Sequence, residues 1–249
     1  MGDFILQVKE LGTAYGKHIA LENVSFSIQK GEILGVAGEN GAGKSTLLSL
    51  LATVQKPSHG IICFKGKDIR SGKKAYRSSM GYVPQEIALF EELSGWDNLM
   101  FFGKSYHLPE KERKERIREV CRITEFPEEA LRRPVSRYSG GMRRKINIGA
   151  ALLHRPELLL LDEPVANLDP DAEEQVIKAL KGLSEQGTAI VYAGHQMDQM
   201  EALCDSICFM KDGQQILYGT MEELLHPGGQ KIPLKQLWKE TSGKVRKKE

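Results

Sequence analysis

The chain has 249 residues, 41% of them hydrophobic and 27% charged, with a formal net charge of +2. This length accommodates one large domain, or one domain with a sizeable insertion. The near-neutral balance gives no reason to expect nucleic acid or another polyanion as partner, and no apolar run approaches the roughly 18 residues that span a bilayer.

In chain order, the N-terminal MGDFILQVKE carries acidic residues and no long apolar core, so it does not read as a secretory signal, and Leu6 stands where myristoylation asks for a small hydroxyl residue. Residues 3–30 alternate apolar and polar positions and are punctuated by Gly12, Gly16 and Gly31, which predicts short antiparallel strands. EILGVAG, 32–38, is a compact apolar run and predicts a buried strand. A helix is expected over 46–53, a strand and turn over 60–70, and a short strand over 81–83, cut by Pro84. From about 91 to 150 the pattern is helical, with Ile117, Val120 and Cys121 on one face and charge over the rest. LLLLD, 158–162, and AIVYAG, 189–194, read as strands buried on both sides, with helices expected over 171–186 and 196–204. Two last strands near 206–218 flank a turn at Asp212 and Gly213. The segment from Gly229 to Glu249 holds seven Lys or Arg against two Glu and is expected to be a partly ordered helix with a frayed basic tip. The cysteines, Cys63, Cys121, Cys204 and Cys208, complete no metal set and read as thiols of a reducing compartment.

Alternation of strand and helix implies an α/β fold with a parallel sheet, an antiparallel N-terminal β part and a helical insertion at about 91–150. The expected division is a single domain over 1–225 and a basic tail over 226–249.

GENGAGKST, 38–46, fits G-x-x-x-x-G-K-[ST] through Gly38, Gly43, Lys44 and Ser45, between a buried strand and a helix. The glycines let backbone N–H groups turn inward around phosphates, and the helix start adds positive potential. Lys44 supplies a point charge to the phosphates and Ser45 a hydroxyl to Mg²⁺. Such a loop alone does not choose between kinase, GTPase and ATPase. LLLLDEP adds Asp162 at a strand end, suited to hold Mg²⁺, and Glu163 beyond it, suited to orient or deprotonate an attacking water. A second glycine-rich segment, RYSGGMRRK at 137–145, also reads as an anion-binding turn.

With these motifs in this order, the chain resembles the ATP-binding cassette (ABC) family, specifically the nucleotide-binding subunit of a membrane transporter, over about residues 3–225. The resemblance implies a P-loop NTPase core, ATP and Mg²⁺ as ligands, and a second cassette subunit paired head to tail, as a homodimer with an identical copy or as a heterodimer with a different cassette. It implies that Ser139, Gly140, Gly141 and Met142 meet the ATP held by the P-loop of the partner, here Gly38, Glu39, Asn40, Gly41, Ala42, Gly43, Lys44, Ser45 and Thr46. It implies that Tyr15 stacks on adenine, that Gln85 touches Mg²⁺ and water, that Asp169 faces the partner, and that His195 contacts the γ-phosphate. The catalytic set is then Glu163, His195, Lys44 and Gln85, and the metal set Ser45, Gln85 and Asp162. The histidines at 18, 59, 107, 154 and 226 are given no role.

YSGGM replaces the usual LSGGQ and, followed by arginines, is similar to the drug, antibiotic and polysaccharide exporter branch. Asn167 takes a place usually held by alanine or glycine, which a turn tolerates. The resemblance further implies separately encoded transmembrane permease subunits, docked near Ile87, Leu89, Phe90 and Trp96, and a peripheral place on the cytoplasmic face of the cell membrane. Nucleic acid is not expected as a partner. A soluble non-transport ABC ATPase and an importer subunit are the alternatives.

Overall fold

A computed structural model describes residues 4–245. Residues 1–3 and the tip at 246–249 lie outside the described residues, so the reading of that tip as frayed falls outside them too.

Strands β1 (Phe4–Tyr15) and β2 (His18–Gln29) form an antiparallel pair. Each runs 12 residues, longer than the short strands predicted. Gly12 does not break β1, because the ladder absorbs it as a shift of register between Leu11 and Thr13. Then follow β3 (Ile33–Ala37), α1 (Lys44–Leu51), β4 (His59–Phe64), β5 (Lys67–Asp68), α2 (Lys73–Ser78) and β6 (Met80–Val83). Three helices come next: α3 (Gly95–Ser105), α4 (Glu110–Ile123) and α5 (Gly140–Leu152). The chain continues through β7 (Leu158–Asp162), α6 (Pro170–Glu185), β8 (Ala189–Gly194), α7 (Met197–Leu203), β9 (Ser206–Lys211), β10 (Gln214–Thr220), α8 (Met221–Leu225) and α9 (Leu234–Val245).

The ten strands among the described residues share one sheet, in the order β5-β4-β1-β2-β10-β9-β3-β8-β7-β6. The half from β9 to β6 is parallel, while β1, β2, β4 and β5 are antiparallel. Alternating side chains of the central strands feed two cores. Leu34, Val36, Leu158 and Leu160 pack with the leucines of α1, whereas Ile33, Leu159, Leu161 and Ile190 pack with α5, α6 and α7. Strands β3, β7 and β8 are buried at every position, as their unbroken apolar runs require.

The insertion between β6 and β7 buries the face predicted for it. Ile117, Val120 and Cys121 are at most 1% exposed and join Leu99 and Ile146 in one cluster. Asp212 and Gly213, at φ 48° and 78°, make the tight β9–β10 turn that DG announces. Beyond residue 225 the chain does not leave the sheet: Leu234 is fully buried, Trp238 meets Phe209 edge-on at 5.1 Å, and Lys211 Nζ donates to the Ser242 carbonyl at 2.9 Å.

Candidate active site

Register decides what can meet. Ala37 at the end of β3 pairs with Gly194 at the end of β8, and Asp162 at the end of β7 pairs with Ala193. The loop at 38–46, Glu163 and His195 therefore leave the sheet side by side, outside the carboxyl ends of parallel strands.

The loop is shaped by two glycines that admit no side chain. A Cβ on Gly38 would lie 2.4 Å from the Met210 carbonyl oxygen, and Gly43, at φ 97°, faces Leu21 and the Ala20 carbonyl. Helix α1 starts at Lys44, two residues earlier than predicted, with no side-chain cap on its first turn. Its leading N–H groups are thus available to an anion. Lys44, 5% exposed, donates to the carbonyls of Gly38 at 2.9 Å and Glu39 at 3.1 Å, and its Nζ lies 3.8 Å from Glu163 Oε1. Burial pushes its pKa down, and the carboxylates of Glu163 and Asp162 oppose that.

Glu163 occupies the left-handed backbone region, at φ 47°, and its N–H donates to the Ala193 carbonyl at 3.0 Å. That turn swings the side chain round from the end of the strand. Gln85 Nε2 donates to Glu163 Oε2 at 3.4 Å, and His195 Nδ1 lies 3.3 Å from Oε1. Asp162 is 2% exposed, and its Oδ1 has no hydrogen-bond partner among the described residues. Burial raises its pKa, while the Ser45 hydroxyl, Lys44 and Arg144 pull the other way. A buried, unpartnered carboxylate oxygen beside a serine hydroxyl is a hard donor set that fits Mg²⁺.

Lys44, Ser45, Gln85 and Glu163 border a cavity of about 460 Å³, which Tyr15, His18, Ala20, Asn40, Gly41, Gly43 and Thr46 also line, whereas Asp162, His195, Gly38, Glu39 and Ala42 lie outside its lining. Tyr15 is 49% exposed at its mouth, and its hydroxyl bonds Gln55. His18 and Ala20 were not foreseen. They reach the cavity because β2 doubles back beside Tyr15 after Gly16 and Lys17.

Ser139, Gly140, Gly141, Met142 and Asp169 do not line this cavity. They gather at another place on the same chain. Ser139 caps α5 by accepting from Met142 N at 3.2 Å, and Asp169 caps α6 by accepting from Ala172 N at 2.9 Å. A Cβ on Gly141 would lie 2.9 Å from the Ala172 Cβ and 3.9 Å from Asp169 Oδ2, so the two caps adjoin. Asn167 takes φ 61°, a conformation asparagine tolerates better than most residues.

The arginines and lysine after Met142 bind the protein itself. Arg144, 5% exposed, donates to the carbonyls of Pro84 at 3.2 Å and Gln85 at 3.0 Å. Lys145 donates to the Glu125 carbonyl at 3.1 Å and to Gln175. The charges of Arg143, Arg144 and Lys145 thus hold loops of the same chain. Of the four apolar side chains expected at the surface after Gln85, only Phe90 is exposed; Ile87, Leu89 and Trp96 are half-buried, and Arg132 covers the Trp96 ring at 4.6 Å. Leu93 and Phe101 are exposed instead, and Phe101 meets Phe90 edge-on at 4.9 Å.

The sequence profile described as "ABC transporter" matches residues 21–166. The chain is 40% identical over 220 residues to the linearmycin resistance ATP-binding protein LnrL of Bacillus subtilis, a stretch that covers 88% of this chain and 70% of that protein. Its fold superposes on a solved ATP-binding subunit of an ABC transporter with a TM-score of 0.86, at 30% identity over 96% of this chain and 99% of the other. It also superposes on a dimeric ATP-binding cassette in a post-hydrolysis state bound to ADP and phosphate, with a TM-score of 0.78, at 25% identity over 87% of this chain and 98% of that one. Together with the phosphate loop, Asp162 and Glu163, these likenesses identify the chain as a member of the ABC transporter family, an ATP-binding and ATP-hydrolysing cassette of a transport system.

Proposed function

We propose that two such cassettes pair head to tail around two Mg-ATP and that Glu163 is the base in each site. The carrying observation is the separation of Ser139–Gly141 and Asp169 from the cavity at Lys44. One chain holds two half-sites, and a second chain turned about a twofold axis brings them together.

Bound Mg-ATP supplies an electrophilic γ-phosphorus and a metal ion that neutralises its oxygens. Ser45, Asp162 and Gln85 are the residues that would hold the ion. Lys44 and the N–H groups at the start of α1, residues 44–46, take the phosphate charge, and Tyr15 and His18 flank the adenine. Glu163 receives the proton as the water oxygen bonds to γ-phosphorus and the bond to the bridging oxygen breaks. His195 orients Glu163 and donates to a γ-phosphate oxygen. Ser139 and the N–H groups of Gly140 and Gly141 close the site from the partner.

The domain is read as 1–225 with α3–α5 as a helical subdomain, the tail being tied on through α9. Exposed Phe90, Leu93 and Phe101 support a docking surface for a separately encoded membrane subunit, with the cassette read as peripheral on the cytoplasmic face of the membrane. Likeness to a resistance protein favours export. No helix among the described residues is long and apolar enough to cross a membrane. The test is mass in solution by light scattering for wild type and Glu163→Gln, with and without Mg-ATP. The reading requires a dimer that depends on ATP and is lost with Ser139→Arg. A variant that binds ATP and stays monomeric overturns pairing between identical chains.

A further inference from the structure

Gln85 sits where regular structure has ended. Strand β6 stops at Val83, and the next helix starts at Gly95, so no ladder holds the backbone of Pro84 and Gln85. Their carbonyls are held by Arg144, which is buried in the first turns of α5, five residues beyond Ser139. Arg143 adds a second tie, donating to the Ser136 carbonyl at 3.1 Å and pairing with Glu91 at 3.3 Å. The fork of a guanidinium suits this task, since two of its nitrogens reach two successive carbonyls at once. The Gln85 side chain then meets Glu163.

We propose that Arg144 is a positioning residue for hydrolysis, fixing Gln85 against Glu163 by clamping its backbone to the helix that carries Ser139 and Gly141. This rests on the roles given above to Gln85 and Glu163. One consequence concerns pairing. The segment that meets the partner's nucleotide and the loop that serves this chain's own nucleotide become one body, so a shift of α5 on pairing moves Gln85 with it.

The test is a double-mutant cycle on steady-state ATP hydrolysis by the full chain, with wild type, Gln85→Ala, Arg144→Met and the double variant. Methionine keeps length and apolar contact and removes every donor. Each single variant is expected to lower kcat by about tenfold or more with KM within about twofold, and the double variant to match Gln85→Ala within about twofold. Arg144→Lys, which keeps a donor and the charge, is expected to recover part of the loss. Losses that multiply in the double variant, or an Arg144→Met enzyme with wild-type kcat, overturn the inference. Should Arg144→Met fail to show protected sheet amides in hydrogen exchange, Arg144→Lys and Arg144→Gln carry the same cycle. If Gln85→Ala itself leaves kcat unchanged, the role of Gln85 fails and takes this inference with it. If Gln85→Ala is slow and the effects multiply, only the role of Arg144 fails.

Discussion

The ammonium of Lys44 stands 3.8 Å from the carboxylate of Glu163, both side chains nearly out of solvent at 5% and 11% exposure. The pair joins the phosphate loop to the strand end that supplies the base. Glutamine would keep the size and the turn at φ 47° but would not accept a proton. Glu163→Gln is therefore expected to lower kcat by about 10²–10⁴-fold, with ATP affinity kept. Phosphate release and a nucleotide titration check this. A loss of affinity as large as the loss of rate would make Glu163 a binding group instead.

Two adjacent glycines separate packing from pairing. A Cβ on Gly140 would meet nothing within 4 Å, whereas one on Gly141 would press on Ala172 at 2.9 Å. Gly140→Ala is expected to leave unfolding stability within about 0.5 kcal/mol of wild type and still weaken the ATP-dependent dimer of the Glu163→Gln form. Gly141→Ala is expected to destabilise the monomer by about 1–3 kcal/mol, as overpacking does. Denaturant melts and light scattering on the same samples check both; a Gly140→Ala protein that pairs normally would remove that residue from the shared site.

Asp162 is costly to ionise in the folded chain. Burial raises its carboxyl pKa above the ordinary 3.8, so the folded state favours the protonated form. The stability tied to that proton is fully present below the unfolded value and is lost as pH rises through the folded value. Without nucleotide or metal, Asp162→Asn is thus expected to have a higher Tm than wild type at pH 7, the gap closing as pH falls toward 4. The same change is expected to abolish the Mg²⁺ dependence of ATP binding. Thermal melts at several pH values decide: a gap that widens on acidification reverses the assignment.

Helix α9 is tested by Trp238, which meets Phe209 on β9. Trp238→Ala is expected to cost about 2–4 kcal/mol, and truncation after residue 225 to cost more, because it also removes buried Leu234 from the core. Urea unfolding measures both. An unchanged midpoint would make the segment after 225 an appendage.

Much of this was legible because it is local. Gly43-Lys44 announces a loop opening a helix, LLLLD a strand buried on both faces, and Asp212-Gly213 a tight turn, each by residues within a few positions of one another. Glu163 and Asp162 followed from the strand that carries them. Arg144 did not, because the carbonyls it holds are 59 and 60 residues away in sequence, and nothing in RYSGGMRRK says that its cations turn inward. His18 was passed over because only the doubling back of β2 brings it beside Tyr15. The outward place of Phe101 escaped for a similar reason: a helical face is assigned by its neighbours, and those come from Phe90 and the loop before α3.

The phosphate loop leans on the far end of the chain. Gly38 lies under the Met210 carbonyl, Gly213 donates to the Ala42 carbonyl at 3.2 Å, and Glu22 N donates to the Gly213 carbonyl at 2.9 Å. Residues 38–46 are made early in translation, but the hairpin that shapes them arrives some 170 residues later. On the ribosome, a chain halted before β9 would carry the whole motif and lack the surface it is moulded on. The surface that moulds the phosphate loop is therefore supplied by the last two strands of the sheet to be synthesised.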